Sequence, residues 1–586
     1  MGFFGCPLVP LQHFVVRRGI RRELASAACI YATSRRFSAK ASKGPEEHTE
    51  SWRKPVTRAT AFPDFIHLWT PAVFRRVGYG LGAGSVSMFA FLGPLAWQPY
   101  AAAALTAGYW YQGLSDLKQE NFAIKRNFPV LGNFRYILEV LRPEIRQYFI
   151  ESDYEPDIQY DRQHRVGYTW ANHSIFPTEV PEENKRVTIG KKENGCKQPY
   201  SASLLNISGM SYGALSDNAI LALNEGAKRG GFFHNTGEGG MSEFHLKPGG
   251  DLVWNIGTGY FGCGQGGLRR TFDPVLFKEN AQREQCKMIE LKLSQGAKPS
   301  HGGMLPKGKI TKAIATARGL PFPAEEDCNS PPRHSAFSSP TGMMEFIGKL
   351  RELSGGKPVG FKLCVGQPED FSAICHAMIE TGIRPDFVTV DGSEGGTGAA
   401  PPEFSDSVGM PLQEGLNLVN NMLTGGGLRD KIRIIASGKI LSGFSIVRTL
   451  ALGADTCNAA RAFMFSLGCI QALKCNTNMC PTGVTTQNPN LMRGLVPEFK
   501  SVRVASFHKE TVTNAFEIIG AMGLDHPGKV TGEHVMLRVS SDKVRTFAER
   551  FPLVAPGVLL EKKGPPRLQA AWDLDDGYVQ RSWIHE

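Results

Sequence analysis

The chain has 586 residues, 42% of them hydrophobic and 21% charged, with 65 glycines and 37 prolines. That composition excludes global disorder and allows roughly two to four ordinary domains, or one large α/β barrel with appendages. The net charge of +11 raises nucleic acid or an anionic membrane as a partner, but its position removes nucleic acid. Arg17, Arg18, Arg21, Arg22, Arg35, Arg36, Lys40 and Lys43 face only Glu23, so most of the excess lies at the N-terminus and the body is mildly basic. Twelve cysteines are too few for a disulfide scaffold, and most read as small buried hydrophobes in a reducing compartment.

Residues 1–43 are rich in Arg and Ser and poor in acid, the composition of a transit peptide, which predicts a mitochondrial address with a plastid as the alternative. Residues 44–76 read as a linker. No charged residue occurs from Val77 to Ser115, and Pro94 and the Trp97-Gln98-Pro99 group divide the run. With about 20 apolar residues needed for each crossing, 77–115 predicts a transmembrane helical hairpin with interfacial aromatics at Tyr79, Trp97, Tyr100, Trp110 and Tyr111. A Gly/Ala-rich packed helical pair or a monotopic anchor is the alternative. Residues 116–200 are mixed and charged and read as an adaptor segment.

Beyond residue 200, short apolar runs alternate with helix-like stretches and end in Gly-rich or polar loops. The predicted strands are Leu204–Ser208, Phe232–Asn235, Leu252–Ile256, Ile289–Leu293, Val359–Cys364, Phe387–Asp391, Ile432–Ala436 and Thr456–Ala460. Eight strands with helical connections predict an α/β fold, a (β/α)8 TIM barrel over 201–525 followed by a C-terminal extension at 526–586; a doubly wound sheet is the alternative. The motif-bearing loops follow the strands, where a barrel carries its active site.

Ser437, Gly438 and Lys439 leave the seventh strand, and Ala460 and Arg461 leave the eighth. Small residues with free backbone N–H groups there predict a phosphate site. Gly257–Gly262 spells G-x-G-x-x-G, but the motif by itself is a weak signal and is not read as a dinucleotide fingerprint. Lys292 and Lys298 straddle the end of the fourth strand, with Arg318 further on. Three cations at a barrel mouth predict a clamp for a small dicarboxylate. Lys362, inside a buried strand, needs an anionic partner, which a flavin would supply. In the loop 390–404, Gly395 and Gly396 permit close approach of a flat ligand, and Thr397 adds a hydroxyl. Cys469, Cys475 and Cys480 stand as C-x5-C-x4-C before proline; their spacing suggests an iron–sulfur cluster or another metal, with coincidental clustering the alternative.

The ordered motifs SGMSYGALS, NTGEGG, KLSQGAKPSHGGMLP, KLCVG, DGSEGGTGA, ASGKILSG and CIQALKCNTNMCPTGVTTQ resemble the FMN-binding synthase domain of glutamate synthase over roughly residues 200–525. The resemblance implies a (β/α)8 barrel with FMN and a [3Fe–4S] cluster on Cys469, Cys475 and Cys480. It implies that Lys292, Lys298 and Arg318 bind or polarise 2-oxoglutarate and that Glu238 is an active-site carboxylate. Ser211, Lys362, Gly396, Thr397, Gly438 and Arg461 fall in segments that surround FMN. The implied reaction is reductive amination of 2-oxoglutarate by ammonia to L-glutamate, with ferredoxin or a reductase subunit as electron donor. The chain departs from the family pattern in its first 200 residues, which resemble no amidotransferase, so glutamine hydrolysis is not expected here and ammonia is expected from solution or from a separate glutaminase. It departs again at Met304, where the family often has glutamine. The closest resemblance is to short, membrane-anchored relatives of the synthase domain. A flavin and iron–sulfur oxidoreductase that acts on another amine or imine and reduces a membrane acceptor is the second reading; a non-catalytic electron-transfer or scaffold subunit is the third.

Overall fold

The computed structural model describes residues 64–145, 163–266, 270–299, 301–396 and 400–573. These belong to one compact unit, Thr57–Glu586. The segment expected to be a transit peptide lies outside the described residues.

Eight parallel strands close into a barrel: β1 (Leu205–Ile207), β2 (His234–Asn235), β3 (Leu252–Ile256), β4 (Cys286–Lys292), β5 (Val359–Leu363), β6 (Phe387–Asp391), β7 (Arg433–Ser437) and β8 (Thr456–Ala459). Each neighbour in chain order pairs in parallel, and β8 returns to β1 through Cys457–Leu205 and Ala459–Ile207. All eight predicted strands are present. The doubly wound alternative fails because β8 finds β1 and leaves no open edge.

Around the barrel run α5 (Asp217–Gly230), α6 (Pro274–Ala281), α7 (Lys312–Arg318), α8 (Pro340–Leu353), α9 (Pro368–Thr381), α10 (Leu412–Gly425), α11 (Gly443–Leu450), α12 (Arg461–Leu467) and α13 (Pro497–Ala521). Their starts follow the sequence. Ser216, Thr311, Ser339 and Ser442 cap their helices with hydroxyls that accept from the first turn. One apolar core, including Trp254, Phe277, Phe361, Ile347, Leu416 and Phe463, fills the space between strands and helices. At the foot of the barrel, Arg351 and Asp386 form a buried ion pair at 3.0 Å.

The segments flanking the barrel are not independent of it or of each other. Thr169–Ala171 pairs antiparallel with Val535–Arg538, which pairs with Val544–Thr546. The adaptor and the C-terminal extension therefore share one sheet. Trp572 closes the described C-terminus over α9, its carbonyl accepting from His376 Nε2 at 2.9 Å.

The transmembrane expectation over 77–115 is corrected. Two helices form there, α1 (Pro71–Leu92) and α2 (Gln98–Lys118), and they pair as a hairpin through the Ser85–Thr106 hydroxyls at 3.0 Å and the Phe74, Tyr109 and Trp110 rings. Among the described residues no helix is long and apolar enough to cross a membrane. The first helix begins six residues earlier than the uncharged run and takes in Arg75 and Arg76, while glycines, serines and tyrosines dilute the rest. The chain then continues through α3 (Ala123–Asn127) and α4 (Gly132–Val140).

Candidate active site and cysteine loop

The C-terminal ends of the strands carry a polar, charged interior. Parallel pairing sets Lys362 of β5 opposite Lys292 of β4 and Asp391 of β6 opposite Ser437 of β7. Below them Glu290 is buried at the centre of the barrel. Its Oε1 accepts from Asn235 Nδ2 at 2.8 Å and Asn255 Nδ2 at 2.6 Å, and its Oε2 from Thr389 Oγ1 at 2.7 Å. Buried carboxylate oxygens need such donors to satisfy their hydrogen-bonding capacity.

Lys362 does have an anionic partner, but it belongs to the protein: Nζ lies 3.0 Å from Asp391 Oδ2. Burial opposes the charge on Lys362, and Asp391 and Glu290 outweigh it, raising the lysine above its ordinary value. The anionic partner that the sequence calls for is therefore present within the chain, because β6 places a carboxylate one strand away.

Lys292 and Glu238 converge at 3.0 Å, and Lys292 Nζ also donates to Gln295 Oε1 at 2.9 Å. Lys298 Nζ donates to the Gly302 carbonyl at 3.0 Å. Burial would raise the Glu238 carboxyl, but Lys292, Lys298 and Arg318 hold it below the usual carboxylate range. Burial pulls Lys298 below its ordinary value, Glu238 opposes this, and Lys292 adds to it. Gly303 is required here, since a Cβ at that position would collide with the Glu238 carboxylate. Met304 follows on a short strand and is 39% exposed.

Arg318 ends α7 and is buried. Its guanidinium donates to the Tyr212 carbonyl at 3.0 Å and the Cys328 sulfur at 3.5 Å, and lies 4.7 Å from the centre of the Phe261 ring. It reaches Glu238 electrostatically, while its fork braces the loop after β1.

The proposed phosphate residues lie together at the ends of β7 and β8. Ser437 is buried, its hydroxyl 3.3 Å from that of Ser208, and its carbonyl accepts from Gly392 N at 2.8 Å. Gly438 follows it, and Lys439 holds a left-handed φ of 50°. Ala460 precedes α12, and Arg461 opens it. Gly395 and Gly396 bring the β6 loop onto the same end. A Cβ on Gly396 would lie 2.5 Å from Arg461 Nη2, so the guanidinium approaches this backbone closely. Ser211 lies half-buried in the loop after β1, whose backbone Gly237 touches. Thr397 lies outside the described residues.

Cys469, Cys475 and Cys480 occupy one loop after α12. None is in a disulfide, and electrostatic coupling links all three. Burial would raise the Cys480 thiol, but the Thr482 hydroxyl 3.4 Å away and nearby N–H groups hold it below its ordinary value. Cys469 is pushed up to about 11, by burial first. Among the described residues, no three His, Cys, Asp or Glu side chains are drawn together as for a single metal ion. The loop is braced from the barrel side by Lys309, whose three ammonium donors meet the carbonyls of Ala214, Cys475 and Thr485 at 3.3, 3.3 and 3.2 Å.

Sequence reasoning missed Glu290, Asp391, Lys309 and His334. The imidazole of His334 is held between Tyr260 Oη at 3.0 Å and the Lys292 carbonyl at 2.9 Å. Ala336 N–H donates to Tyr260 Oη, so the phenol donates to His334 Nδ1 and Nε2–H serves Lys292. A polar residue within an apolar strand was the available signal for Glu290 and Asp391. No local signal marked the other two.

The chain matches the family described as conserved region in glutamate synthase over residues 159–525. It is 37% identical over 487 residues to the glutamate synthase large subunit-like protein YerD of Bacillus subtilis, covering 72% of this chain and 91% of that one. To an archaeal glutamate synthase [NADPH] of Methanocaldococcus jannaschii it is 34% identical over 333 residues, 57% of this chain and 61% of that one. A solved mandelate oxidase structure aligns at 13% identity over 71% of this chain and 99% of its own, with a TM-score of 0.38.

Proposed function

The chain belongs to the glutamate synthase family, as an oxidoreductase acting on CH–NH2 donors, and from that premise we propose that it makes L-glutamate by reductive amination of 2-oxoglutarate. The observation that carries this reading is the Lys292–Glu238–Lys298 group at the barrel mouth, beside the Lys362–Asp391 pair. The two lysines present donors to the substrate carboxylates, and Lys298, near the carbonyl to be attacked, polarises it. Ammonia adds to the carbonyl carbon and water leaves, and Glu238, which stays ionised, serves as counter-ion for the iminium so formed. Arg318 adds positive potential while it holds the loop after β1.

The residues fit FMN. Gly395, Gly396 and Gly438 leave room for a flat ring and its chain, Ser211, Ser437, Lys439, Ala460 and Arg461 would hold the phosphate end, and Lys362 would face the ring. Thr397 belongs to the same proposed set. The cysteines fit a [3Fe–4S] cluster in number and chemistry, since Cys469, Cys475 and Cys480 offer three free thiols on one loop. When bound, FMN supplies the two-electron reduction of the imine and the cluster supplies single electrons for it. The electron donor is ferredoxin or a reductase subunit, and ammonia comes from solution or a separate glutaminase. The basic N-terminus supports delivery to a mitochondrion.

Anaerobic assay of the flavin-loaded chain with a reduced donor, ammonia and 2-oxoglutarate should yield glutamate. Bound flavin without turnover of this oxo acid would favour another amine or imine as substrate.

A further inference from the structure

The family match begins at residue 159, so it assigns nothing to the helices before it. Those helices nevertheless pack on the cysteine loop. Asn127, at the end of α3, is 2% exposed and directs its amide nitrogen to the Pro481 carbonyl at 2.8 Å and the Leu491 carbonyl at 2.9 Å. Pro481 directly follows Cys480. Both neighbours are acceptors, so both amide N–H donors are used and the amide cannot be reversed without setting oxygen against oxygen. Gly494 permits the approach, since a Cβ there would stand 2.6 Å from the Asn127 amide.

The apolar half of the contact lies beside the first cysteine. Ile470, next to Cys469, packs against a buried group formed by Ile124, Phe128 and Leu491, with Ile66, Trp69 and Tyr136 around it. The N-terminal segment is itself pinned in place. Lys500 Nζ of α13 donates to the Asn121 carbonyl at 2.8 Å, Trp69 Nε1 donates to the Pro129 carbonyl at 2.7 Å, and the Asp116 carboxylate accepts from Val130 N at 2.8 Å and Asn133 Nδ2 at 2.6 Å.

We propose that residues 64–136 are a built-in cover for the cysteine loop, with Asn127 as the positioning residue that fixes the loop and keeps water from the group bound by its thiols. The role in holding iron rests on the cysteine assignment proposed above; the shielding of the thiols does not. Neighbours of a metal site that orient its ligands typically govern retention as strongly as affinity. Asn127→Ala leaves the Pro481 carbonyl without its donor and leaves the Leu491 carbonyl only the backbone N–H of Gly494, and Asn127→Asp keeps the size but removes both amide donors.

In the anaerobically reconstituted full-length chain, both variants should lose iron to a chelator about tenfold faster than the parent, with flavin content unchanged. Phe128→Ala should show a smaller acceleration. In the iron-free chain, alkylation of Cys480 by iodoacetamide, read by peptide mass spectrometry, should be faster in both Asn127 variants. Unchanged iron release together with unchanged labelling would overturn the cover, provided that thermal melting shows the variants folded. Should the parent bind no iron, the cysteine assignment fails and the labelling experiment alone decides the cover.

Discussion

The barrel mouth and the cysteine loop solve the burial of reactive groups in opposite ways. At the mouth, side-chain charges balance one another: Lys362 meets Asp391, Lys292 meets Glu238, and Glu290 below takes three neutral donors. In the cysteine loop the braces grip the backbone: Lys309 takes three carbonyls from one side and Asn127 two from the other. The difference teaches which groups are set for electrostatic work on a substrate and which loop is held in shape through its backbone. It also separates the mouth from the foot of the barrel, where the Arg351–Asp386 pair serves stability alone.

The sharpest way to break this comparison is at Lys298. Lys298→Ala should lower kcat/KM for 2-oxoglutarate by about a hundred- to a thousandfold, as losing a preorganised donor does, with flavin absorbance retained. Unchanged steady-state kinetics would remove Lys298 from the reaction. At the foot of the barrel, Arg351→Met should cost about 3 kcal/mol of stability in urea unfolding, because it strands a buried carboxylate. Its turnover should stay near that of the parent below the unfolding transition, and a specific loss of turnover would show that foot and mouth are coupled.

His334, which is bonded to the Lys292 carbonyl, gives an effect of similar size but in pH. Burial lowers His334 to about 4, while an unfolded histidine titrates near 6.5. Below 6.5 the unfolded chain binds the proton more readily, so the contribution of neutral His334 is complete above that pH and is lost as pH falls toward 4. The loss reaches about 3 kcal/mol. His508, also lowered to about 4, adds in the same direction. His334→Gln should flatten the fall of stability between pH 6.5 and 4, and an unaltered slope would place the titration elsewhere. The smallest effect is expected at Met304. Met304→Gln should improve KM for 2-oxoglutarate by about fivefold, one neutral hydrogen bond, and no change would mean that this side chain does not face the oxo acid.

Much of this was legible in the chain itself. The eight strands could be read because fully buried strands appear as short apolar runs ending in glycine-rich loops, and Leu252–Ile256 and Phe387–Asp391 have the predicted bounds. Lys292 and Lys362 were conspicuous because a lysine inside such a run violates the pattern. The partners were not legible, since Asp391 reaches Lys362 only through register between strands and Glu238 reaches Lys292 only from the loop after β2. The hairpin shows the converse failure. Absence of charge from Val77 to Ser115 is a local property, but the helix that formed there reached back to Pro71 and took in two arginines.

Composition and local pattern determined the element types, the closed barrel they favour, and the loops that carry the chemistry, because periodicity and turn residues act within a few positions. Only the tertiary structure decided which charges neutralise each other, that Arg318 braces a loop as well as biasing Glu238, and that a helix from outside the family region lies over the cysteines. Those outcomes depend on groups as far apart in the chain as Asn127 and Leu491, brought together by closure of the barrel and by the packing of what precedes it. No local signal can encode a hydrogen bond whose two ends are specified by separate elements.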